Sequence, residues 1–492
     1  MLTRAVWRPS WWVWVLGALA ALGAAYKLDP KRLEGHGLLI TPLAIVAGVL
    51  VLRWLWQRPP AATMCAGIAL SIFSGAWSQI GLGGVPLDRG LILIVVMQFL
   101  LRAPGVEHAP SMRIRNVHLL MFVAAIYAVT SAIAAGSISN ETALLGLIDQ
   151  FGIVPFMLFV LAPSVFPGKR ERDMLLVTLL GVGTYLGLTA VFESLGPHSL
   201  VFPKYILQVD EALPGERAGG PFQNSVAEGF ATFSCAVAAV IAFMQWRGER
   251  RRWIAAGVVL VCLFGCFLTL ERGVWLGALA GAALPALLTR SGRRWILPVA
   301  LAGALALGGA LVVSSSLSQK ASARVTDERS VWDRENQISA GLRMLDERPL
   351  LGFGWGEYTN NSREYFRQAS DYPMVGYSLN TYASLGKLLP LHELYLEYAV
   401  ELGVVGALLW LAALLWGVGG AVFAAGPAEL RPWKLGLLAS LICLLVISLV
   451  NPDQAPFSVL LLWTWAGVAL GLAPQRVRRP VLEVRGVRSA TA

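Results

Sequence analysis

Three short stretches place residues that could do chemistry beside long apolar runs. In "PLHELYLEYAVELG", His392 heads a hydrophobic segment together with Glu393, Glu397 and Glu401. A neutral imidazole near the working pH accepts a proton from a hydroxyl, so His392 is a candidate general base; the alternative is that it caps a helix at an interface. In "GERAGGPFQN", Arg217 precedes a glycine-rich turn, and in "LTLERGVWLG", Arg272 separates two apolar runs. Guanidinium groups stay charged and grip phosphate oxygens bidentately, so two converging arginines could hold a diphosphate. Pairing with Glu216 and Glu271, or snorkelling to lipid headgroups, is the competing reading for each arginine.

The elements that carry these residues are membrane helices. Hydrophobic residues make up 56% of 492 and charged residues only 14%, with a mean hydropathy of +0.62, which excludes an ordinary soluble domain. About fourteen apolar runs approach spanning length, near 9–26, 37–56, 61–80, 87–104, 117–136, 145–166, 173–195, 225–246, 253–270, 273–289, 295–316, 393–424, 433–450 and 456–473. The expected fold is therefore an all-α polytopic bundle of about 12–14 transmembrane helices with one long extracytoplasmic loop. Its divisions are 1–316, the first eleven helices with an outer loop at about 196–223; 317–391, the long outer loop; 392–473, the last helices; and 474–492, a basic tail.

Charge sets the orientation. Of 40 lysines and arginines, 24 fall in alternate gaps and the two ends, seven in the short gaps between them, and nine in the long loop, to which the rule does not apply. Both termini are expected in the cytoplasm, with the long loop outside. The net charge of +10 thus reads as an orientation signal and a grip on membrane lipids, not as a nucleic-acid surface. The cysteines Cys65, Cys235, Cys262, Cys266 and Cys443 all lie within expected spans and imply no disulfide framework.

This topology puts His36, His198 and His392 outside and His108 and His118 inside, and only His392 heads a helix beside other polar groups. In the long loop, Val331, Ile338, Leu342 and Leu345 recur at helical spacing, which predicts an amphipathic helix near 328–347 with Arg329, Asp333, Arg334, Glu335 and Arg343 on its other faces. "ERPLLGFGWGEY" then breaks helix through Pro349, Gly352, Gly354 and Gly356. No outer segment holds a DxD pair, and Asp327, Glu328, Asp333 and Glu335 are interleaved with Arg324, Arg329 and Arg334, so salt bridges are expected there in place of a metal site.

Together these stretches resemble the O-antigen ligase and O-antigen polymerase superfamily of bacterial membrane glycosyltransferases. "RAGGPFQNSVAEG" is similar to its arginine and "G-F-x-N" segment, "LTLERGVWLG" to "T-x-S-R-G", "HELYLEYAVELG" to "H-N-x-Y-L-x-x-x-x-E-x-G", and "RSVWDRENQISAGLRMLDERPLLGFGWGEY" to its outer-loop pattern. The resemblance spans roughly 145 to 460. It implies a GT-C-type fold in the bacterial inner membrane, with the active site facing outward. The implied reaction moves a glycan from undecaprenyl diphosphate to an acceptor hydroxyl on a lipid A-core or other glycan or lipid, with no metal and no other cofactor. It implies that Arg217 and Arg272 bind the diphosphate, that His392 is the base, and that Arg329 and Glu401 support the site. Glu393 stands where the family has Asn, and Glu271 where it often has Ser. A polymerase using the same donor shares every one of these motifs. A lipid or sugar transporter is a more distant alternative, disfavoured because the polar candidates gather at one outer face instead of the midplane.

Overall fold

The computed structural model describes residues 48–77, 79–80, 86–101, 115–208, 217–289, 293, 329–366, 391–450 and 455–471. The expected span at 9–26, most of 37–56, the span at 295–316, the loop at 317–328 and 367–390, and the tail lie outside the described residues. So do Asp327 and Glu328 and the side chains of Arg329 and Asp333. Among the described residues the fold is all helical, and seven helices are long and apolar enough to cross a membrane: Asn116–Ala135, Glu141–Val165, Lys169–Leu195, Ser225–Gln245, Glu249–Leu268, Leu394–Phe423 and Ala428–Ile447. Pro60–Phe73, Arg272–Leu287 and Pro456–Leu470 are shorter apolar helices. The chain is thus an all-α polytopic membrane protein.

Ser225–Gln245 runs through the centre, packed against Lys169–Leu195, Glu249–Leu268 and Arg431–Ile447. Lipid tails offer no hydrophobic contrast between helices, so close backbone approach through small residues holds such a bundle together. At Gly281 an added methyl would lie 2.4 Å from the Ala439 carbonyl oxygen, which is why Arg272–Leu287 and Arg431–Ile447 lie in contact. Gly187 and Gly265 face each other in the same way between Lys169–Leu195 and Glu249–Leu268.

Two expected spans are interrupted. The run at 145–166 comprises a helix at Glu141–Gly146, a π turn at Leu147–Phe151 and a helix at Ile153–Val165. The run at 393–424 is bent at Gly403, whose φ of 69° lies in the left-handed region that favours glycine. Breaking a helix frees carbonyl groups, and a buried carbonyl needs a new donor. The loop after the helix Arg329–Glu347 supplies it: the Phe353 amide donates to Val400 O at 2.9 Å and the Gly354 amide to Glu401 O at 2.8 Å, while the Tyr127 hydroxyl donates to Leu402 O at 2.8 Å. In return, the Val404 amide donates to Pro349 O at 2.9 Å. The glycine-rich loop is therefore threaded into the break.

A methyl group at Gly403 would fall 2.0 Å from the Leu350 carbonyl oxygen, on a backbone no L-residue adopts cheaply. Gly403→Ala is expected to cost about 3 kcal/mol or more, seen as a lower melting temperature and a reduced monodisperse yield of the purified protein. Unchanged stability would show that the loop does not press on this point.

The amphipathic helix, called the outer helix after its expected side, forms over Arg329–Glu347, within a residue of its expected bounds. Of the expected apolar positions, Ile338 and Leu345 pack against the neighbouring cluster, but the most buried positions are others. Leu342 is 53% exposed, whereas Asn336, Gln337, Ala340 and Met344 are buried. The helix lies on Leu391, Leu396 and Val400, and the stripe it buries carries polar groups that meet partners far away in sequence. Apolar periodicity cannot register such a stripe.

Candidate active site

The site begins with a turn that projects Arg217. The amides of Gly219 and Gly220 donate to the two carboxylate oxygens of Glu193, at 3.1 and 3.0 Å, from the end of Lys169–Leu195. The Tyr205 hydroxyl donates to Pro221 O at 2.8 Å. Asn224 then caps Ser225–Gln245 by accepting from the amides of Val226 and Ala227. The Ala218 amide donates to Leu268 O at 3.2 Å, which ties this turn to the one that carries Arg272.

That second turn is strained. Leu270 is buried with φ at 49°, a conformation costing about 1–3 kcal/mol for a residue with a branched side chain, and it aims the next residue, Glu271, inward. Glu271 is 3% exposed. Its Oε2 accepts from Arg217 Nη1 at 2.6 Å, and its Oε1 lies 3.4 Å from Arg334 Nη2 of the outer helix. Burial lowers the pKa of Arg334, the Glu271 charge opposes that, and the positive charges of Arg272 and Arg217 reinforce it. Three arginines thus share the field of one carboxylate, and these four groups together are cationic. Nε of Arg217 is buried without a hydrogen-bond partner among the described residues, a donor that an anion at this place can satisfy.

His392 stands two residues before Leu394–Leu414, and the N-cap is Glu393, which makes no side-chain capping bond. His392 is therefore not the cap of that helix. It opens on a cavity of about 280 Å³ lined by Arg334, Glu335, Ile338, His392, Leu449 and Val450. Gln337, one helical turn beyond Arg334, reaches it from the outer helix: Gln337 Oε1 accepts from the His392 amide at 3.1 Å and lies 2.7 Å from His392 Nδ1. Burial first, then the charges of Arg334 and Arg217, push the His392 pKa down to about 4, so the imidazole is neutral at physiological pH. Burial raises the pKa of Glu393. A cationic pocket beside a neutral imidazole can hold a polyanion and take a proton from a hydroxyl.

The structure thus brings the charges of Arg217 and Arg334 to bear on His392, and sets Arg272 where its charge acts on Arg334. It leaves Glu401 apart, buried with Oε1 accepting from the Tyr358 amide at 3.3 Å, where it braces the threaded loop. The side chain of Arg329 lies outside the described residues. Glu271 departs from the family motif in type, and here it is the hub of the arginines. His118 Nδ1 accepts from the Arg115 amide at 2.9 Å, and exposed His198 rests against Glu193 O at 3.1 Å, so both histidines have local partners away from the cavity. Sequence reasoning missed Arg334, assigned there to salt bridges within its own loop, as well as Gln337 and Glu193. The one signal available for the first two was their separation of three residues, which sets them on one helix face.

Residues 257–411 match the family model described as O-antigen ligase, a stretch that contains Arg272, Arg334, Gln337, His392 and Glu401 and stops short of Arg217. The match supports the O-antigen ligase and polymerase superfamily, whose members are glycosyltransferase-type membrane enzymes. No curated protein matches the chain.

Proposed function

With residues 257–411 matching the O-antigen ligase family, we propose that this protein is a membrane glycosyltransferase of ligase type. Its donor is a glycan on undecaprenyl diphosphate, and its acceptor is a hydroxyl of a lipid A-core or another glycan or lipid at the outer face of the bacterial inner membrane. The observation that carries the reading is the convergence of Arg217 and Arg334 on Glu271 beside His392, with the charge of Arg272 acting on Arg334.

In this reading Nε2 of His392 takes the proton of the acceptor hydroxyl as its oxygen bonds to the anomeric carbon of the donor. The bond from that carbon to the phosphate oxygen breaks, and its electron pair leaves with the diphosphate, whose added charge the arginines stabilise. The imidazolium then gives its proton to water. Apolar Ile338, Leu449 and Val450 line the same cavity, as suits a donor whose lipid remains in the bilayer.

The test supplies purified protein with a lipid-linked glycan, alone and with a separate acceptor. Transfer that needs the separate acceptor is expected. Lengthening of the glycan when the donor is given alone would replace ligation with polymerisation, and no transfer under either condition would overturn the glycosyltransferase reading.

A further inference from the structure

We infer that Gln337 is a positioning residue that holds His392 in its Nδ1–H tautomer and so presents an unprotonated Nε2 to the cavity. The catalytic meaning of this contact rests on the glycosyl-transfer reading, whereas the tautomer itself does not.

Two distances and the neutral state of the imidazole fix the tautomer. A backbone N–H can donate but not accept, so the end of the Gln337 amide that lies 3.1 Å from the His392 nitrogen is the oxygen. The same oxygen lies 2.7 Å from His392 Nδ1. Two bare acceptors would repel at that separation, so Nδ1 carries a hydrogen. A neutral imidazole has one N–H, which leaves the lone pair on Nε2.

Gln337 is suited to this task because it is completely buried and has no freedom to bond elsewhere. Its own Nε2 has no hydrogen-bond partner among the described residues, so the amide is kept in place for its oxygen. Arg334 stands one turn away on the same helix face and reaches Glu271. A single turn of the outer helix therefore sets both the orientation of the imidazole and one of the cations beside it. The charged groups around His392 are Arg334 and Glu335 from the outer helix, Arg217 from the glycine-rich turn, and its neighbour Glu393; Leu449 and Val450 contribute none.

The test labels the histidines of the full-length protein with ¹⁵N and assigns His392 by the signals lost in His392→Gln. At neutral pH a protonated Nδ1 and an unprotonated Nε2 are expected. Gln337→Leu removes the acceptor; it is expected to move the population toward Nε2–H and to lower kcat roughly 10²-fold with the donor KM within about twofold. Gln337→Glu keeps an acceptor oxygen and adds a negative charge. It is expected to retain the tautomer and move the acid limb of kcat/KM to higher pH, which decides the matter even where Gln337→Leu does not fold. Wild-type His392 protonated on Nε2, an unmoved acid limb in Gln337→Glu, or a Gln337→Leu protein with unchanged tautomer and kcat would overturn the inference. The expected tautomer together with a fully active His392→Ala protein would support the contact and overturn the base assignment alone.

Discussion

Replacing His392 with alanine is expected to lower glycan transfer per folded molecule by roughly 10²–10⁴-fold while donor affinity survives, because proton transfer acts in the transition state and not in ground-state binding. Transfer at the wild-type rate would remove His392 from the reaction. The pH profile gives a second reading. With the His392 pKa near 4, kcat/KM is expected to stay level from about pH 5 to neutrality and to fall below that, as protonation blocks the base. A bound diphosphate offsets the charges of Arg334 and Arg217 that help to depress this pKa, so the acid limb of kcat is expected at higher pH than that of kcat/KM. The same displacement has a cost in stability. From the ordinary value of 6.5 down to about 4 the unfolded chain binds a proton that the folded protein refuses, so the His392 contribution to stability is complete above pH 6.5 and is lost as pH falls through that window. Coincident acid limbs, or a limb near 6.5 in both, would contradict the charge environment described.

Arg217→Ala and Arg334→Ala are each expected to weaken use of the donor by about 10- to 100-fold, the size of one lost charge-assisted hydrogen bond. Lysine restores the charge without the planar fork and is expected to recover only part of the loss. Glu271→Gln tests the hub: the arginines lose the carboxylate that orients them, so donor affinity is expected to fall although cationic charge has been gained. Tighter donor binding in Glu271→Gln would show that the carboxylate merely competes with the donor. Equal losses for donor and acceptor in Arg217→Ala would reassign that arginine from the diphosphate to the general architecture of the cavity. Affinity measured on the purified variants with the lipid-linked donor separates these outcomes.

The membrane helices were legible because hydrocarbon imposes a length and a composition, and Ser225–Gln245 and Lys169–Leu195 lie close to the expected runs. The turn bearing Arg217 was legible through its glycines, and Arg272 through an arginine where outer loops disfavour one. The partners of these residues were not. Arg334 and Gln337 meet Glu271 and His392 across separations of 63 and 55 residues, and a helix that buries Asn336 and Gln337 while exposing Leu342 defeats any rule that equates the inner face with the apolar one. The break at Gly403 was equally hidden, because "VELGVVG" is composed like any membrane segment and only the loop threaded against it explains the bend.

That bend has a bearing on how the protein meets membranes of different thickness. A continuous helix would carry any change of tilt directly to the residues at its head. Here the turns from Leu394 to Leu402 are fastened to the threaded loop and to Tyr127, and Leu394 itself donates to Ser448 O at 3.1 Å, while the length beyond Gly403 runs on to Phe423. The segment before Gly403 is thus bonded to its neighbours through its backbone, and the longer stretch after it is the part expected to accommodate the bilayer. His392 and the arginines beside Glu271 are therefore expected to keep their spacing as lipid composition changes, with a transfer rate that is the same in thin and thick bilayers.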